Sequence, residues 1–323
     1  MHPHIALLAS ITLTLLTGGQ ASAQVFPSKP IRIVIGFPAG GPLDQHARLL
    51  SDKLQGVLGQ PVLVDYKAGA GGTVGAQEVM KAAPDGHTLM LANTGVMVIN
   101  PALYSRLPYA TLTDFVPIAR TAMQPLALLV NPQVPVNSLK EFINYSRARP
   151  GQINYGSAGN GGISHLVPEM FKSSTGLFMV HIPYRGSAPA FTDLMAGQVQ
   201  FMAESIPQAA NYHKQGKVKA LAVTSRERNP ALPDVPTVIE TGIKNFEVVG
   251  FYGFLAPAGT PKDVVKKLSD AFGQVLALPE VRNRMITQGA DPAFLGATDF
   301  SNFLSAEMPR WREAVKQSGA KLD

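Results

Sequence analysis

Two glycine-rich turns hold most of the residues that could do chemistry in this sequence. The first, at residues 36–44, reads GFPAGGPLD, and the second, at residues 156–162, reads GSAGNGG. Glycine lets a ligand approach the backbone closely, and the free N–H groups at a helix start attract anions. Both turns therefore predict anion binding, although glycines that only tighten a turn would give the same pattern.

Serine hydrolysis is the alternative that Ser157 raises, because this serine stands in a strand-to-helix turn. The nucleophile elbow of serine hydrolases has the pattern G-x-S-x-G. Here Gly156 directly precedes Ser157, so the pattern is broken. His165 follows eight residues later and would reach Ser157 only if the loop folded back. A secreted hydrolase that uses Ser157 and His165 is our second hypothesis.

The spacing of glycines and histidines disfavours nucleotide and metal sites. In GAGGTVGA, Val74 stands where the dinucleotide fingerprint requires its last glycine, and no G-K-[ST] follows a glycine loop. The histidines of the mature chain show neither H-x-x-x-H nor H-E-x-x-H spacing, and there is no cysteine. We therefore expect no metal and no cofactor.

Polar side chains near the turns could add hydrogen bonds to a captured anion. Asn93 and Thr94 end a predicted strand, and Ser187 follows the segment IPYRG. Their amide and hydroxyl groups are suitable partners for a carboxylate. Asp44 has a structural alternative, because an acid at the third helical position stabilises the helix dipole and can pair with Arg48 four residues later.

The elements that must position these residues alternate between strand and helix, which predicts an α/β fold. The two turns follow strands predicted at 31–35 and 153–155, and each precedes a helix, so they occupy matching places in two βα units. In open α/β sheets, ligands collect beyond the carboxyl ends of the strands. Two domains that face each other would bring both turns to one cleft.

The later part of the chain indicates how the two domains are connected. Strands predicted at 220–224 and 248–255 bracket a crossing back to the first domain, which helices at 260–278 and 298–318 would complete. We predict a discontinuous lobe I of residues 24–125 and 246–323, and a lobe II of residues 126–245.

The first residues and the composition indicate an exported protein. Residues 1–23 resemble a signal peptide with an apolar stretch and an A-x-A cleavage site ending at Ala23, and no later segment has the length of a membrane span. Without cysteine there is no lipidated N-terminus, so in a diderm bacterium the product would be free in the periplasm. The net charge of +6 favours anionic small molecules, whereas the dispersed basic residues argue against nucleic acid.

The motifs taken together resemble the Bug family, the periplasmic solute receptors of tripartite tricarboxylate transporters. The resemblance runs from about Lys29 to the closing EMPRWREAVKQSG and rests on the segments KPIRIVIGFPAGGPLDQHARLL, GQPVLVDYKAGAGGTVGA, PDGHTLMLA, PGQINYGSAGNGGISHL, IPYRGSAPAFTDLMAGQVQ and LAPAGTP. It implies a two-lobed periplasmic-binding-protein fold of type II-like topology with the ligand cleft between the lobes. It also implies a non-enzymatic receptor, expected to be a monomer, which binds a small carboxylate and delivers it to membrane permease subunits.

The resemblance also implies which residues bind the solute. The first loop supplies five of them, the second loop three, and the remainder lie nearby: Phe37, Ala39, Gly40, Gly41 and Leu43; Ser157, Ala158 and Gly159; Asn93, Thr94, Tyr184, Gly186, Ser187 and Asp193.

Two positions depart from the family pattern. Leu43 stands where the family often carries a small or hydroxylated residue, and Pro168 interrupts the helix that follows the second loop. Together with Val96 and Met97, Leu43 favours a solute with an apolar middle. We therefore expect a dicarboxylate, either aromatic such as terephthalate or a longer aliphatic one, in preference to citrate or an amino acid.

Overall fold

The computed structural model describes residues 26–320. The predicted signal peptide and its cleavage after Ala23 lie outside the described residues. Lobe I begins with a parallel arrangement in which β1 (Ile31–Ile35) lies between β2 (Val62–Tyr66) and β3 (Thr88–Asn93). The β-branched run of β1 is almost wholly buried, in agreement with the strand predicted there. The first glycine-rich turn follows β1 and leads into α1 (Pro42–Leu58).

One long strand, β4 (Phe115–Val130), is shared by the two lobes. Its part up to Pro125 pairs antiparallel with β9 (Val249–Pro257) in lobe I. From Leu126 onward it pairs antiparallel with β7 (Phe201–Ser205) and β8 (Lys219–Val223) in lobe II. The exchange of partners lies beside the boundary predicted at 125/126. The sequence did not indicate the first half of this strand, because Pro117 and Pro125 argue against a central strand.

Lobe II contains a second, smaller arrangement of parallel strands. β5 (Asn154–Ser157) lies between β6 (Val180–Pro183) and β7, and the second glycine-rich turn follows β5 into α6 (Ile163–Thr175). The two glycine-rich turns therefore follow strands and precede helices, as the sequence predicts. The chain returns to lobe I after β8, where the Thr224 N–H donates to the Leu126 carbonyl at 2.9 Å and the Val248 N–H donates to the Thr224 carbonyl at 3.1 Å.

The fold is completed by further helices and by one further strand, which pairs antiparallel with β4. They are α2 (Thr73–Met80), α3 (Asn100–Leu103), α4 (Thr111–Asp114), α5 (Leu139–Arg147), α7 (Ser187–Ala196), α8 (Ile206–Lys214), α9 (Lys262–Ala277), α10 (Pro279–Thr287), β10 (Asp291–Gly296) and α11 (Ala297–Ser318). A π-helical turn, Gly95–Ile99, leads from β3 into α3. The sequence did not predict α10 or β10. Within residues 26–320, no helix is both long enough and apolar enough to cross a membrane.

Three buried apolar clusters form the core, and the largest contains residues of both lobes. Phe251 of lobe I and Tyr155 of lobe II belong to this shared cluster. Trp311 on α11 also lies in it with 1% of its surface exposed. Because α11 packs against both β4 and α6, it connects the two lobes.

Pro168 does not end α6. The helix continues through Pro168 to Thr175, and the proline side chain is buried. A proline inside a helix cannot donate to the carbonyl four residues earlier, here that of Ser164. The helix begins at Ile163 directly after Gly162, so the second turn keeps a regular helix start.

Candidate binding cleft

Two cavities lie along the cleft between the lobes. The wide cavity, of about 710 Å³, is bordered by residues of both lobes and by the shared strand β4. The narrow cavity, of about 220 Å³, lies on the other side of Gln124 and Ile163, which border both cavities. Gln124 comes from β4 and Ile163 from the start of α6, so the second glycine-rich turn ends at the division of the cleft.

Four helices begin at the wide cavity. Pro42 and Gln45 of α1, Ile163 of α6, Ser187 of α7, and Pro207 with Gln208 of α8 all border it. None of these four helices has a side-chain hydrogen bond that caps its N-terminus. Each therefore presents free N–H groups and the positive end of its dipole, and each contributes about 0.3–1 kcal/mol toward a nearby negative charge. The arrangement favours an anion in the wide cavity.

The first turn satisfies one of its own donors through Asp44. The Gly40 N–H donates to Asp44 Oδ2 at 2.8 Å, and Arg48 Nε and the Tyr66 hydroxyl donate to Asp44 Oδ1 at 2.7 and 2.6 Å. Burial acts to raise the pKa of Asp44, but the hydrogen bonds from Tyr66, Gly40 and Arg48 outweigh it and hold the pKa below its ordinary value. The structural alternative for Asp44 is therefore realised, and the Gly40 amide is occupied.

The second turn is likewise largely self-satisfied. The Ala158 N–H donates to Ser164 Oγ at 3.0 Å, and the Gly159 N–H donates to Ser157 Oγ at 3.2 Å. The Gly161 N–H donates to His165 Nδ1 at 3.0 Å. These bonds hold the turn in shape before any ligand arrives. Within residues 26–320, the backbone N–H of Asn160 has no backbone hydrogen-bond partner. Asn160 borders the narrow cavity.

Ser157 and His165 do not form a catalytic pair. Ser157 is fully buried, and its hydroxyl lies 2.6 Å from Nε2 of His181 on β6. His165 instead accepts the Gly161 N–H and stacks on His181, with ring centroids 3.8 Å apart. Burial lowers the pKa of both histidines to about 4, so both rings are neutral near pH 7. The hydrolase hypothesis is wrong because the hydroxyl is inaccessible and His165 is engaged elsewhere.

Four of the predicted binding residues border a cavity. Phe37, Asn93 and Thr94 border the narrow cavity, and Ser187 borders the wide one. The Thr94 hydroxyl accepts a hydrogen bond from the Phe251 N–H at 2.7 Å. This bond links the end of β3 to β9. The others border neither cavity: Ala39, Gly40, Gly41, Leu43, Ser157, Ala158, Gly159, Tyr184, Gly186 and Asp193.

Two predicted binding residues pair with each other instead of facing a cavity. The Tyr184 hydroxyl donates to Asp193 Oδ2 at 2.7 Å, and burial together with this bond raises the pKa of Tyr184 to about 12.

Leu43 packs into the core of lobe I with 7% of its surface exposed. Its side chain therefore does not form the apolar wall that we predicted.

Several cavity residues were missed by the sequence analysis. Gln45 and Gln208 stand in the first turns of α1 and α8, and the sequence offered a signal for them in the prolines that precede them by one to three residues. Glu204 is the penultimate residue of β7, Arg284 belongs to α10, and Gln288 follows α10 directly. These three follow no glycine-rich turn, so no motif indicated them.

The lobes touch at both ends of the cleft. A Cβ atom at Gly161 would lie 2.2 Å from Leu103 Cδ2, and one at Gly289 would lie 2.1 Å from Pro207 Cγ. Each contact joins a residue of lobe I to a residue of lobe II with no space for a side chain at the glycine. We call this arrangement, in which the lobes meet at Gly161 and at Gly289, closed.

Comparison with known proteins places these features in context. The profile of the tripartite tricarboxylate transporter family receptor matches residues 46–320. The chain is 35% identical over 320 residues to Protein BugT of Bordetella pertussis, covering 98% of each chain. It resembles R. palustris Rpa4515 with adipate (32% identity, TM-score 0.80, 92% of this chain and 100% of that chain). It also resembles MatC from Rhodopseudomonas palustris with bound malate (34% identity, TM-score 0.74, 90% and 100%).

Proposed function

Since this chain belongs to the tripartite tricarboxylate transporter receptor family, we propose that it captures a dicarboxylate between its lobes and delivers it to membrane permease subunits. The family consists of solute-binding receptors and not of enzymes. In this proposal the chain is exported after cleavage near Ala23 and works as a periplasmic monomer. The similar proteins whose structures contain adipate and malate support a dicarboxylate.

The observation that carries the proposal is the convergence of four helix N-termini on one cavity. A carboxylate there would receive N–H groups from both lobes, so its binding would stabilise the closed arrangement. Four helix starts contribute a few kcal/mol of the roughly 8 kcal/mol that micromolar affinity requires. Apolar walls and further hydrogen bonds supply the rest.

The apolar middle of the proposed solute rests on residues other than Leu43. Leu126, Ile163, Tyr252 and the prolines at the helix starts border the wide cavity. They would cover the carbon chain or ring between two carboxylates. An aromatic dicarboxylate such as terephthalate and a longer aliphatic one both remain within the proposal.

A thermal-shift screen of mono-, di- and tricarboxylates tests the proposal. The protein is first unfolded, dialysed and refolded to remove copurified solute. A specific ligand raises the melting temperature in proportion to the logarithm of its concentration above Kd. We expect dicarboxylates to give the largest shifts. The absence of a shift with every carboxylate would refute carboxylate binding.

A negative charge added at one helix start tests where the solute binds. Gln45→Glu places a negative charge in the first turn of α1 at the wide cavity, whereas Gln55→Glu adds the same charge to an exposed position farther along α1. We expect Gln45→Glu to weaken dicarboxylate binding about tenfold, which corresponds to about 1.4 kcal/mol. Gln55→Glu should leave the Kd unchanged. Equal effects of the two substitutions would place the solute elsewhere.

A further inference from the structure

Two histidine rings are stacked beside the second glycine-rich turn. The ring centroid of His165, near the start of α6, lies 3.8 Å from that of His181 on β6, with an angle of 7° between the planes. Tyr155 on β5 continues the stack, with its ring centroid 4.8 Å from that of His181. The stack therefore joins the strand that leads into the turn, the neighbouring strand and the helix that leaves the turn.

The two histidines contact polar groups of the turn. The Gly161 N–H donates to Nδ1 of His165 at 3.0 Å, and the Ser157 hydroxyl lies 2.6 Å from Nε2 of His181. Ser157 in turn accepts the Gly159 N–H at 3.2 Å. An imidazole nitrogen accepts a hydrogen bond only when it carries no proton. The bond from Gly161 therefore requires a neutral His165 ring with its proton on Nε2.

Gly161 connects this hydrogen bond to the contact between the lobes. A Cβ atom there would lie 2.2 Å from Leu103 Cδ2, so the backbone of Gly161 packs directly against α3 of lobe I. Gly161 and Leu103 both border the narrow cavity. A shift of the Gly161 amide would change this contact and one wall of the cavity. The His165 ring borders neither cavity, so it acts on the cleft through Gly161.

The surroundings of the two rings keep them neutral. Burial, with a smaller contribution from the Lys172 ammonium, lowers the pKa of His165 to about 4. Burial and the nearby His165 lower the pKa of His181 to about 4. Glu169 favours a protonated His181, but its carboxylate accepts hydrogen bonds from Lys172 at 2.7 and 2.9 Å and another from the Tyr155 hydroxyl. Near pH 7 the acceptor for the Gly161 N–H is therefore intact.

The helix α11 and the strand β7 also pack against α6, and their titratable groups are paired elsewhere or exposed. On α11, Glu307 accepts hydrogen bonds from Arg310 and Trp311. The other charged residues of α11 are exposed: Asp299, Arg312, Glu313 and Lys316. On β7, Glu204 accepts the Ser205 N–H at 2.8 Å. The charged groups that act on the two rings come from α6 itself.

From these contacts we propose that His165 is a positioning residue for solute capture, because its neutral ring fixes the Gly161 amide where the second turn meets lobe I. The inference rests on the proposed function and deepens it by naming the buried group that sets the position of the turn. A proton on Nδ1 would leave two donors facing each other, so the bond from Gly161 would be lost. The closed arrangement would then lose stability. Acid therefore weakens solute binding through His165, in addition to its effect on the solute.

Two substitutions of His165 separate this role from simple packing. His165→Asn offers an oxygen acceptor to the Gly161 N–H and cannot take up a proton, whereas His165→Leu offers no acceptor. Isothermal titration calorimetry at pH 7 measures the binding of adipate, malate and terephthalate. We expect His165→Leu to weaken binding about tenfold or more, and His165→Asn to keep the Kd within about threefold of wild type. His213→Asn is the control and should leave the Kd unchanged, because His213 also accepts a backbone N–H, that of Ala220 at 3.3 Å, but borders neither cavity.

The pH profile gives a readout that a purely structural role would not change. From pH 7 toward pH 4, the ratio of the wild-type Kd to the His165→Asn Kd should rise, since only the wild-type side chain can be protonated at this position. Protonation of the solute affects both proteins alike and cancels in the ratio. His213→Asn should follow wild type. A ratio that stays constant would overturn the inference.

The remaining outcomes separate this inference from the function on which it rests. Equal affinities of wild type and His165→Leu would overturn the positioning role and leave the receptor function intact. An equal loss of affinity in His165→Leu and His165→Asn would also overturn the positioning role, because it would assign the effect to packing. Failure of the wild-type protein to bind any mono-, di- or tricarboxylate would overturn both.

Nuclear magnetic resonance of the wild-type protein decides the case if the variants do not fold, as judged by their melting curves. Long-range proton–nitrogen correlation spectra distinguish the two neutral forms of a histidine ring. At pH 7, His165 should carry its proton on Nε2, as the bond from the Gly161 N–H requires. A proton on Nδ1 would contradict that bond and overturn the inference.

Discussion

At the scale of single residues, Asp44 shows how a predicted binding turn uses part of its own donors. It accepts hydrogen bonds from the Gly40 amide, the Arg48 guanidinium and the Tyr66 hydroxyl. A carboxylate of the protein thus occupies a donor that the sequence pattern offered to a ligand. Asp44 holds the turn in shape, and the start of α1 that follows has no side-chain cap.

This role of Asp44 predicts a pH-dependent loss of stability in Asp44→Asn. Because the pKa of Asp44 is lowered on folding, its ionised form stabilises the protein above a pH of about 4. That contribution disappears as the pH falls through the lowered pKa. We expect Asp44→Asn to reduce the free energy of unfolding by about 1–3 kcal/mol at pH 7.

Urea denaturation between pH 7 and pH 3.5 measures this effect. The difference between Asp44→Asn and wild type should shrink toward the acidic end of the range, where wild-type Asp44 begins to take up its proton. Asp52→Asn, an exposed position on the same helix, is the control and should change stability little at any pH. A difference that stays constant with pH would contradict an ionised Asp44.

The sequence identified the two turns but not what their atoms contact. GFPAGGPLD and GSAGNGG correctly indicated helix starts that meet the cleft, because local spacing determines a strand-to-helix turn. The pairing of Ser157 with His181, and of Tyr184 with Asp193, depends on how β5, β6 and α7 are arranged in space. Leu43 looked like a loop residue, yet it is the second residue of α1 and faces the core. A motif gives no information about such a direction.

At the scale of elements, the cleft is formed where four helices begin and where two glycines allow the lobes to touch. Gly161 has a φ of +73° and meets Leu103 of α3 across the cleft. Two separate constraints favour glycine at this position: the left-handed backbone conformation and the closeness of Leu103 in the other lobe. Only the second constraint concerns closure.

Gly161→Ala and Gly176→Ala separate these two constraints. Both glycines have a left-handed conformation, with φ of +73° and +67°, but nothing lies within 4 Å of a Cβ atom at Gly176. Both substitutions should reduce stability by about 1 kcal/mol. Only Gly161→Ala should weaken solute binding, by tenfold or more, because it prevents closure. Calorimetric titration measures the affinities, and Leu103→Ala combined with Gly161→Ala should restore binding.

The elements that the sequence missed are those whose local pattern conflicts with their environment. The first half of β4 contains Pro117, Arg120 and Pro125, and it is a strand because β9 and β10 pair with it on either side. The helix α10 is short and supplies Gln288 to the cleft only through its packing against α9 and β10. Both depend on partners far away in the chain, so a local reading does not find them.

At the scale of the whole molecule, the structure is a closed pair of lobes that share a strand and a core cluster. The lobes meet at Gly161, beside the narrow cavity, and at Gly289, beside the wide cavity. We expect a solute to enter before these contacts form, while the empty protein is in a more open arrangement.

Small-angle X-ray scattering tests this expectation. The radius of gyration of the solute-free protein should be larger than the value calculated from the closed structure. Saturation with a dicarboxylate that raises the melting temperature should reduce the radius to the calculated value. Monocarboxylates that do not bind serve as the control. An unchanged radius on saturation would contradict hinge closure.

The shared strand also has a consequence for the order in which the protein folds. Within lobe I, β9 lies between β3 and β4, although it follows both of them and all of lobe II in the chain. The strands of lobe II, together with the last part of β4, come from one continuous segment. Contacts between distant residues form slowly, so we expect lobe II to acquire its sheet before lobe I does. In pulsed hydrogen-exchange refolding, amides of β7 should become protected before those of β3. A nascent chain therefore keeps the sheet of lobe I incomplete until β9 has been synthesised.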